Sequence, residues 1–155
     1  MGVTVGVNML SVVHKDSGGV SIAFPDVCKT PTPGGPVPIP YPNISKASDT
    51  DKGTKKVLCD GNSTCVKDSN FKTSVGDEGG CAGGGVVSGK QKGISEFVLY
   101  SMDVKFEGKN VPRAFDIMLH NNKNTPPMPV MQGPIIVIPS PVTVDEYCAV
   151  CREKI

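Results

Sequence analysis

FPDVCKTPTPGGPVPIPYPN, residues 24–43, decides how the rest of the chain is read. Six of the twelve residues from Pro31 to Pro42 are proline. Proline has no backbone N–H to give to a helix or a strand ladder, and its ring holds φ near −65°. The stretch is therefore expected to be a rigid extended brace rather than a ladder strand. Cys28 stands just ahead of the prolines, where a stiff departing chain would hold a thiol in place.

Outward from this stretch the same bias continues. Twelve of the 14 prolines fall within 31–42 and 126–141, and eight of the 18 glycines within 76–93. The 155 residues are 38% hydrophobic and 5% aromatic, with no tryptophan. Such a chain builds a thin core, which needs a metal, crosslinks or a partner chain. Net charge is +1, with both signs mixed along the chain and no basic stripe, so no nucleic-acid partner is expected. The strongest apolar run, Ile135 to Ile138, is far too short to span a membrane. The start, MGVTVGVNML, has neither a basic n-region nor a long apolar h-region, so no signal peptide is expected. Gly6 stands where a myristoylation signal needs Ser or Thr. Without a leader, the six cysteines read as thiols or metal ligands before disulfides.

Three segments can be laid over one another: VGVNMLSVVHKDS (5–17), VLCDGNSTCVKDS (57–69) and VKFEGKNVPRAFD (104–116). Each is a short strand, a polar turn, a second short strand and a polar or acidic residue. Asp60-Gly61 is a strong hairpin signal, and Glu107-Gly108 is a similar one. Three is the smallest number at which stacked units bury a shared face. Ile135 to Ile138 reads as a further strand. No dozen residues show a 3.6-residue period, so helix is confined to a turn or two within 141–151.

Several motifs carry possible chemistry. GGVVSGKQ (84–91) nearly spells a phosphate loop, but Gln91 replaces the residue that would hold magnesium. Its glycines read better as tight turns or close backbone approaches. Cys81 and His120 could pair as thiol and base, yet nothing in the sequence orients them. His14 closes the first unit, Cys28 follows it, and His120 follows the third. If the units stack about one axis, two imidazoles and a thiolate could converge, a donor set that suits zinc. No local ligand motif joins the three, and an ordinary polar histidine is the default reading of each. Cys148 and Cys151, in YCAVC (147–151), supply half of a metal knuckle or a pair of tail thiols.

Together, AFPDVCKTPTPGGPVPIPYPNI, SDTDKGTKKV, GDEGGCAGGGVVSGK, FVLYSMDVKFEGKNVPR and HNNKNTPPMPV resemble, in order, the PAAR-like spike-tip proteins of bacterial type VI secretion and related contractile injection systems. The resemblance covers about residues 3–132. NVPR (110–113) departs from the family's name-giving Pro-Ala-Ala-Arg at three of four positions. The resemblance implies a mainly β fold over 1–132, a small cone of three pseudo-repeated strand units with long Pro- and Gly-rich loops. Residues 133–155 would form a C-terminal extension. It implies one tip seated on a trimeric VgrG-type spike, present in the bacterial cytoplasm before firing and then injected, with only transient contact with the target membrane. The role implied is non-enzymatic: sharpening the spike, aiding membrane puncture and carrying effectors. It implies a zinc ion held by His14, Cys28 and His120. The fourth ligand is left open among a tail cysteine, Cys81 and water, because Asn122 stands where some relatives have a second histidine. The alternatives are a zinc-binding adaptor that holds cargo through Cys148 and Cys151, and a toxin on the same scaffold. The short stretch after Gln132 counts against the toxin.

Overall fold

The computed structural model describes residues 3–137. Its regular elements are short strands: β1 Gly6–Val7, β2 Leu10–Ser11, β3 Val20–Thr30, β4 Val37–Lys46, β5 Thr50–Asp51, β6 Leu58–Cys59 and β7 Asn62–Ser63. They continue as β8 Asn70–Phe71, β9 Gly84–Gly85, β10 Ser95–Phe97, β11 Lys105–Phe106, β12 Lys109–Asn110, β13 Ile117–Leu119 and β14 Met128–Met131. One 3-10 turn, Ala47–Asp49, links β4 to β5. The mainly β expectation holds. The expected helical turns within 141–151 lie outside the described residues.

The proline stretch is a ladder strand after all. β3 and β4 form a long antiparallel hairpin, with Cys28 opposite Ile39 and Thr30 opposite Val37. Pro38, Pro40 and Pro42 occur at every second residue, so their missing N–H groups all fall on one side of the strand. The carbonyls of Val27 and Lys29 turn away from β4 and accept from Val86 (2.9 Å) and Ala82 (3.0 Å). The bonds to β4 therefore run through Asp26, Cys28 and Thr30, opposite Tyr41, Ile39 and Val37. β4 is an outer strand of the sheet, ordered β4-β3-β14-β13-β10-β8-β5 with β9 also on β3. An outer strand with prolines facing outward loses no ladder bond. Met128–Met131, in the second proline-rich segment, is likewise a strand, pairing both β13 and β3.

The three repeated segments close into a ring. Each is a two-stranded hairpin: β1-β2, β6-β7 and β11-β12. Each turns at two residues with positive φ: Asn8 (52°) and Met9 (67°), Asp60 (51°) and Gly61 (77°), Glu107 (53°) and Gly108 (80°). That is the turn whose twist matches a two-residue hairpin. Each unit then bonds the next at the same place. Lys15 N–H donates to Ser63 O (3.2 Å), Lys67 N–H to Asn110 O (2.7 Å), and Ala114 N–H to Ser11 O (2.8 Å), which closes the circle. The units' final residues repeat one role as well. Ser17, Ser69 and Asp116 accept through their side chains from the N–H of His14, Val66 and Arg113. The hairpin tips also lock onto the neighbouring unit. Asn8 donates to Asp103, Asp60 accepts from Thr4, and Glu107 accepts from the N–H groups of Lys55, Lys56 and Val57.

The interior is layered along β3. Inside the ring lie Val3, Val7, Val12, Cys59, Val66 and Val111. Beside the first residues of β3 sits a second apolar cluster, Val13, Ala47, Cys65, Phe71, Phe97, Met118 and Val130, with Phe71 and Phe97 packed edge to face. Further along, the filling becomes polar: Ser21, Asn43, Ser45, Ser95, His120 and Asn121 are fully or almost fully buried. The turn that ends the β3-β4 hairpin stands clear, with nothing within 4 Å of a Cβ built on Gly34 or Gly35.

Candidate functional site

Beyond the polar layer three ligand-type side chains meet. Asp26, Cys28 and Asp77 are all buried, and one atom of each lies within 4.8 Å of the others. Asp26 and Cys28 are two apart on β3 and so share a face. Asp77 comes from the glycine-rich loop, which folds onto β3 where β9 pairs Gly85 with Cys28. The loop approaches so closely that a Cβ on Gly80 would collide with the Cβ of Cys28. A glycine is required there for steric reasons.

Neutral amides surround the group. Asp26 accepts from Asn43 (3.0 Å), from Asn121 (3.2 Å to each oxygen) and from Asn124. Both oxygens of Asp77 accept from the Lys92 N–H, at 3.1 Å. Asn121 also reaches the Cys28 sulfur (3.9 Å). Among the described residues no lysine or arginine pairs with any of the three. Burial, reinforced by the charges of Asp26 and Asp77, pushes the Cys28 thiol up to about 12. Burial and the hydrogen bond with Asp26 raise Asp77 to about 6. Burial and neighbouring negative charge thus hold the Cys28 thiol and the Asp77 carboxyl toward their protonated forms. A bound cation would favour their deprotonated forms instead. Thiolate and carboxylate oxygens are zinc-type donors, and the carboxamides would serve as the outer partners that orient them. On donor chemistry and burial, these residues fit a divalent metal.

The structure does not bring His14, Cys28 and His120 to one point; among the described residues Cys28 groups with Asp26 and Asp77 instead. His14 lies in the ring. Its Nδ1 accepts from the Asp16 N–H (3.1 Å), and its Nε2 faces Asp60 (3.2 Å). His120 belongs to the polar layer, with Nδ1 on Asn43 (2.9 Å) and Nε2 on Ser21 (2.7 Å). Among the described residues its hydrogen bonds link it to the group through Asn43. Burial lowers His120 to about 4, so it works as a neutral hydrogen-bonding ring. The chain around it explains why a neighbour reaches the group instead. Asn121, Asn122 and Lys123 have φ of 48°, 56° and 68°, a left-handed run that turns Asn121 inward. Asn122 accepts from the Ile94 N–H (3.1 Å). Cys81 is an exposed free thiol and is not one of the three grouped side chains; His120 is buried and hydrogen-bonds Asn43 and Ser21 instead. Cys28, Cys59 and Cys65 are buried free thiols. Cys148 and Cys151 lie outside the described residues. In the near-phosphate loop, Gly85 N–H donates to Lys90 O (2.8 Å) and Val86 N–H to Val27 O (2.9 Å), so its glycines serve close packing on β3.

A protein-family model described as the toxin PAAR-like domain matches residues 19–127. The chain belongs to the toxin PAAR-like domain family. Among curated proteins, this PAAR-like domain is 44% identical over 126 residues to the DNase toxin Tse7 of Pseudomonas aeruginosa. The match takes in 77% of the chain and 33% of that protein, so the chain spans about a third of the relative's length. No solved structure matches. This relative corrects the expectation that no enzyme is involved, because a toxin named for DNase activity shares the fold region. The short stretch after Gln132 does not count against a toxin, since most of the relative's length lies outside the match.

Proposed function

We propose that this PAAR-like domain is the tip of a contractile injection spike, one copy seated on a trimeric VgrG-type partner, and that it delivers a toxin of the DNase class. The observation that carries the first part is the closed ring of three equivalent hairpin units in a single chain. A threefold partner meets three like surfaces, although the tip is one molecule. Stiffness comes from the hairpin β3-β4 with its outward prolines and from glycines packed against backbone, where the apolar core is thin. The 44% identity to a DNase toxin supports the cargo. DNA would then meet the effector as its substrate, not the tip as a ligand.

Zinc at Asp26, Cys28 and Asp77 would staple the glycine-rich loop to β3 and supply the positive charge that these side chains lack. The metal's role there is structural, holding the polar end closed.

Co-purification of the domain with a VgrG-type trimer from the same cell, in a 1:3 ratio, tests the reading. A well-folded domain that binds no such trimer overturns it. Elemental analysis of protein prepared without chelator tests the metal. About one zinc per chain, lost in Cys28→Ser, is expected; a metal-free wild type overturns that assignment.

A further inference from the structure

We propose that the ring is a strand acceptor with three equivalent edges, one of which the chain fills itself. Residues 135–137 lie antiparallel to β2. Ser11 N–H donates to Ile135 O (2.9 Å), Val137 N–H donates to Met9 O (2.9 Å), and Leu10 faces Ile136. Val137 packs against Gly6. The ring's equivalence carries this site to the other two hairpins. The positions of Ser11 and Met9 become Ser63 on β7 with Gly61 in the turn before it, and Asn110 on β12 with Gly108 in the turn before it.

Among the described residues neither of those two edges carries a strand. Ser63 O and Asn110 O point away from their own hairpins, since they accept from Lys15 and Lys67. In a strand the N–H of the same residue points the same way. Among the described residues, the N–H groups of Ser63 and Asn110 and the carbonyls of Gly61 and Gly108 have no hydrogen-bond partner. A Cβ on Gly61 or Gly108 would meet nothing within 4 Å. Leu58, where Gly6 packs on Val137 in the first unit, is 56% exposed. Unpaired strand edges of this kind bind extended chain through main-chain hydrogen bonds.

The occupants are two extended strands of one threefold partner. Segment 135–137 shows the chemistry that fits, an uncharged β-branched strand running antiparallel. The identity of that partner rests on the spike reading above; the two open edges do not. It follows that the seat is asymmetric. A threefold partner offers three like strands, but only two find an edge, so the filled one selects a single rotational setting of the tip.

Amide hydrogen exchange on the full chain, alone and with the VgrG-type trimer, tests this. Alone, the Ser11 amide is expected to be protected and those of Ser63 and Asn110 unprotected. In the complex all three should be protected. Ser63→Pro and Asn110→Pro each delete one outward N–H, and each should weaken trimer binding about tenfold, the worth of one main-chain hydrogen bond. Val137→Pro, which alters only the filled edge, should leave affinity within about twofold by the same measure. Binding by the wild type with Ser63 and Asn110 still unprotected overturns the inference and leaves the spike reading standing. Protection of those amides in the free chain overturns it without reference to any partner. Absence of wild-type binding removes both readings together.

Discussion

Replacing Asp26 with alanine should be the most damaging single change at the polar end. Asp26 is fully buried and accepts from three carboxamides. Two of these keep a second acceptor, Asn121 on Lys90 O (2.8 Å) and Asn124 on Val27 O (3.0 Å). The amide of Asn43 has no other acceptor among the described residues, so the variant strands one buried donor outright, at about 1–3 kcal/mol. Losing the hydrogen bonds of the other two to a carboxylate adds roughly 1–2 kcal/mol, discounted because each keeps a partner. Relief elsewhere is small. Cys28, held near 12, is a neutral thiol at pH 7 and gains little from losing a neighbouring charge. Asp77 is raised mainly by its own burial. The net loss is about 3–4 kcal/mol, a large share of the roughly 5–15 kcal/mol of a typical domain. With a urea slope of about 1–3 kcal/mol/M, the midpoint at pH 7 should fall by roughly 2 M. Asp26→Asn, which keeps one acceptor oxygen, should fall about half as far. A midpoint for Asp26→Ala within about 0.3 M of wild type, at a slope of that size, would refute the view that this carboxylate organises the network.

Ile39→Pro removes an N–H facing β3 and should cost about 2–4 kcal/mol, a lost ladder bond plus a stranded carbonyl. Pro40→Ala, whose N faces outward, should stay within about 1 kcal/mol; equal losses in urea melts would contradict the assigned alternation. Gly80→Ala forces a Cβ into Cys28 and should destabilise by about 1–3 kcal/mol by overpacking, with bound metal falling in parallel. In metal-free protein two pH effects oppose each other. His120, lowered to about 4 by burial, contributes stability that is complete above its ordinary 6.5 and is lost as pH falls toward 4. Asp77, raised to about 6 by burial, contributes stability that is complete below its ordinary 3.8 and is lost as pH rises toward 6. Wild-type stability should therefore be nearly flat from pH 4 to 6. His120→Gln should gain stability toward acid and Asp77→Asn should lose it, by up to about 3 kcal/mol each; slopes of the same sign would defeat the assignment.

The ring was legible because hairpin chemistry is local. Asp60-Gly61 and Glu107-Gly108 favour the positive φ their turns adopt, and alignment carried the same turn to Asn8-Met9. The proline stretch was legible in principle and misread. Spacing of 38, 40 and 42 leaves every donor on one side of the strand intact, and the count of prolines hid their period. Asp26 could have been found beside Cys28, because residues two apart share a face once 20–30 is taken as a strand. Asp77 carried no comparable signal, lying 49 residues from Cys28 in a glycine-rich loop with no periodicity.

By itself the sequence determined the mainly β character, the three hairpins and the family, since these rest on φ preferences and hydrogen-bonding patterns within a few residues. Only the tertiary structure decided which side chains meet. Ring closure aligns the three units, and the glycine-rich loop settles on β3 because Gly80 leaves room for Cys28. Asp77 and Asn121 are thereby carried to Asp26 and Cys28, while His14 stays in the ring and His120 in the polar layer. Convergence of residues this far apart depends on how whole elements pack, and no local preference encodes it.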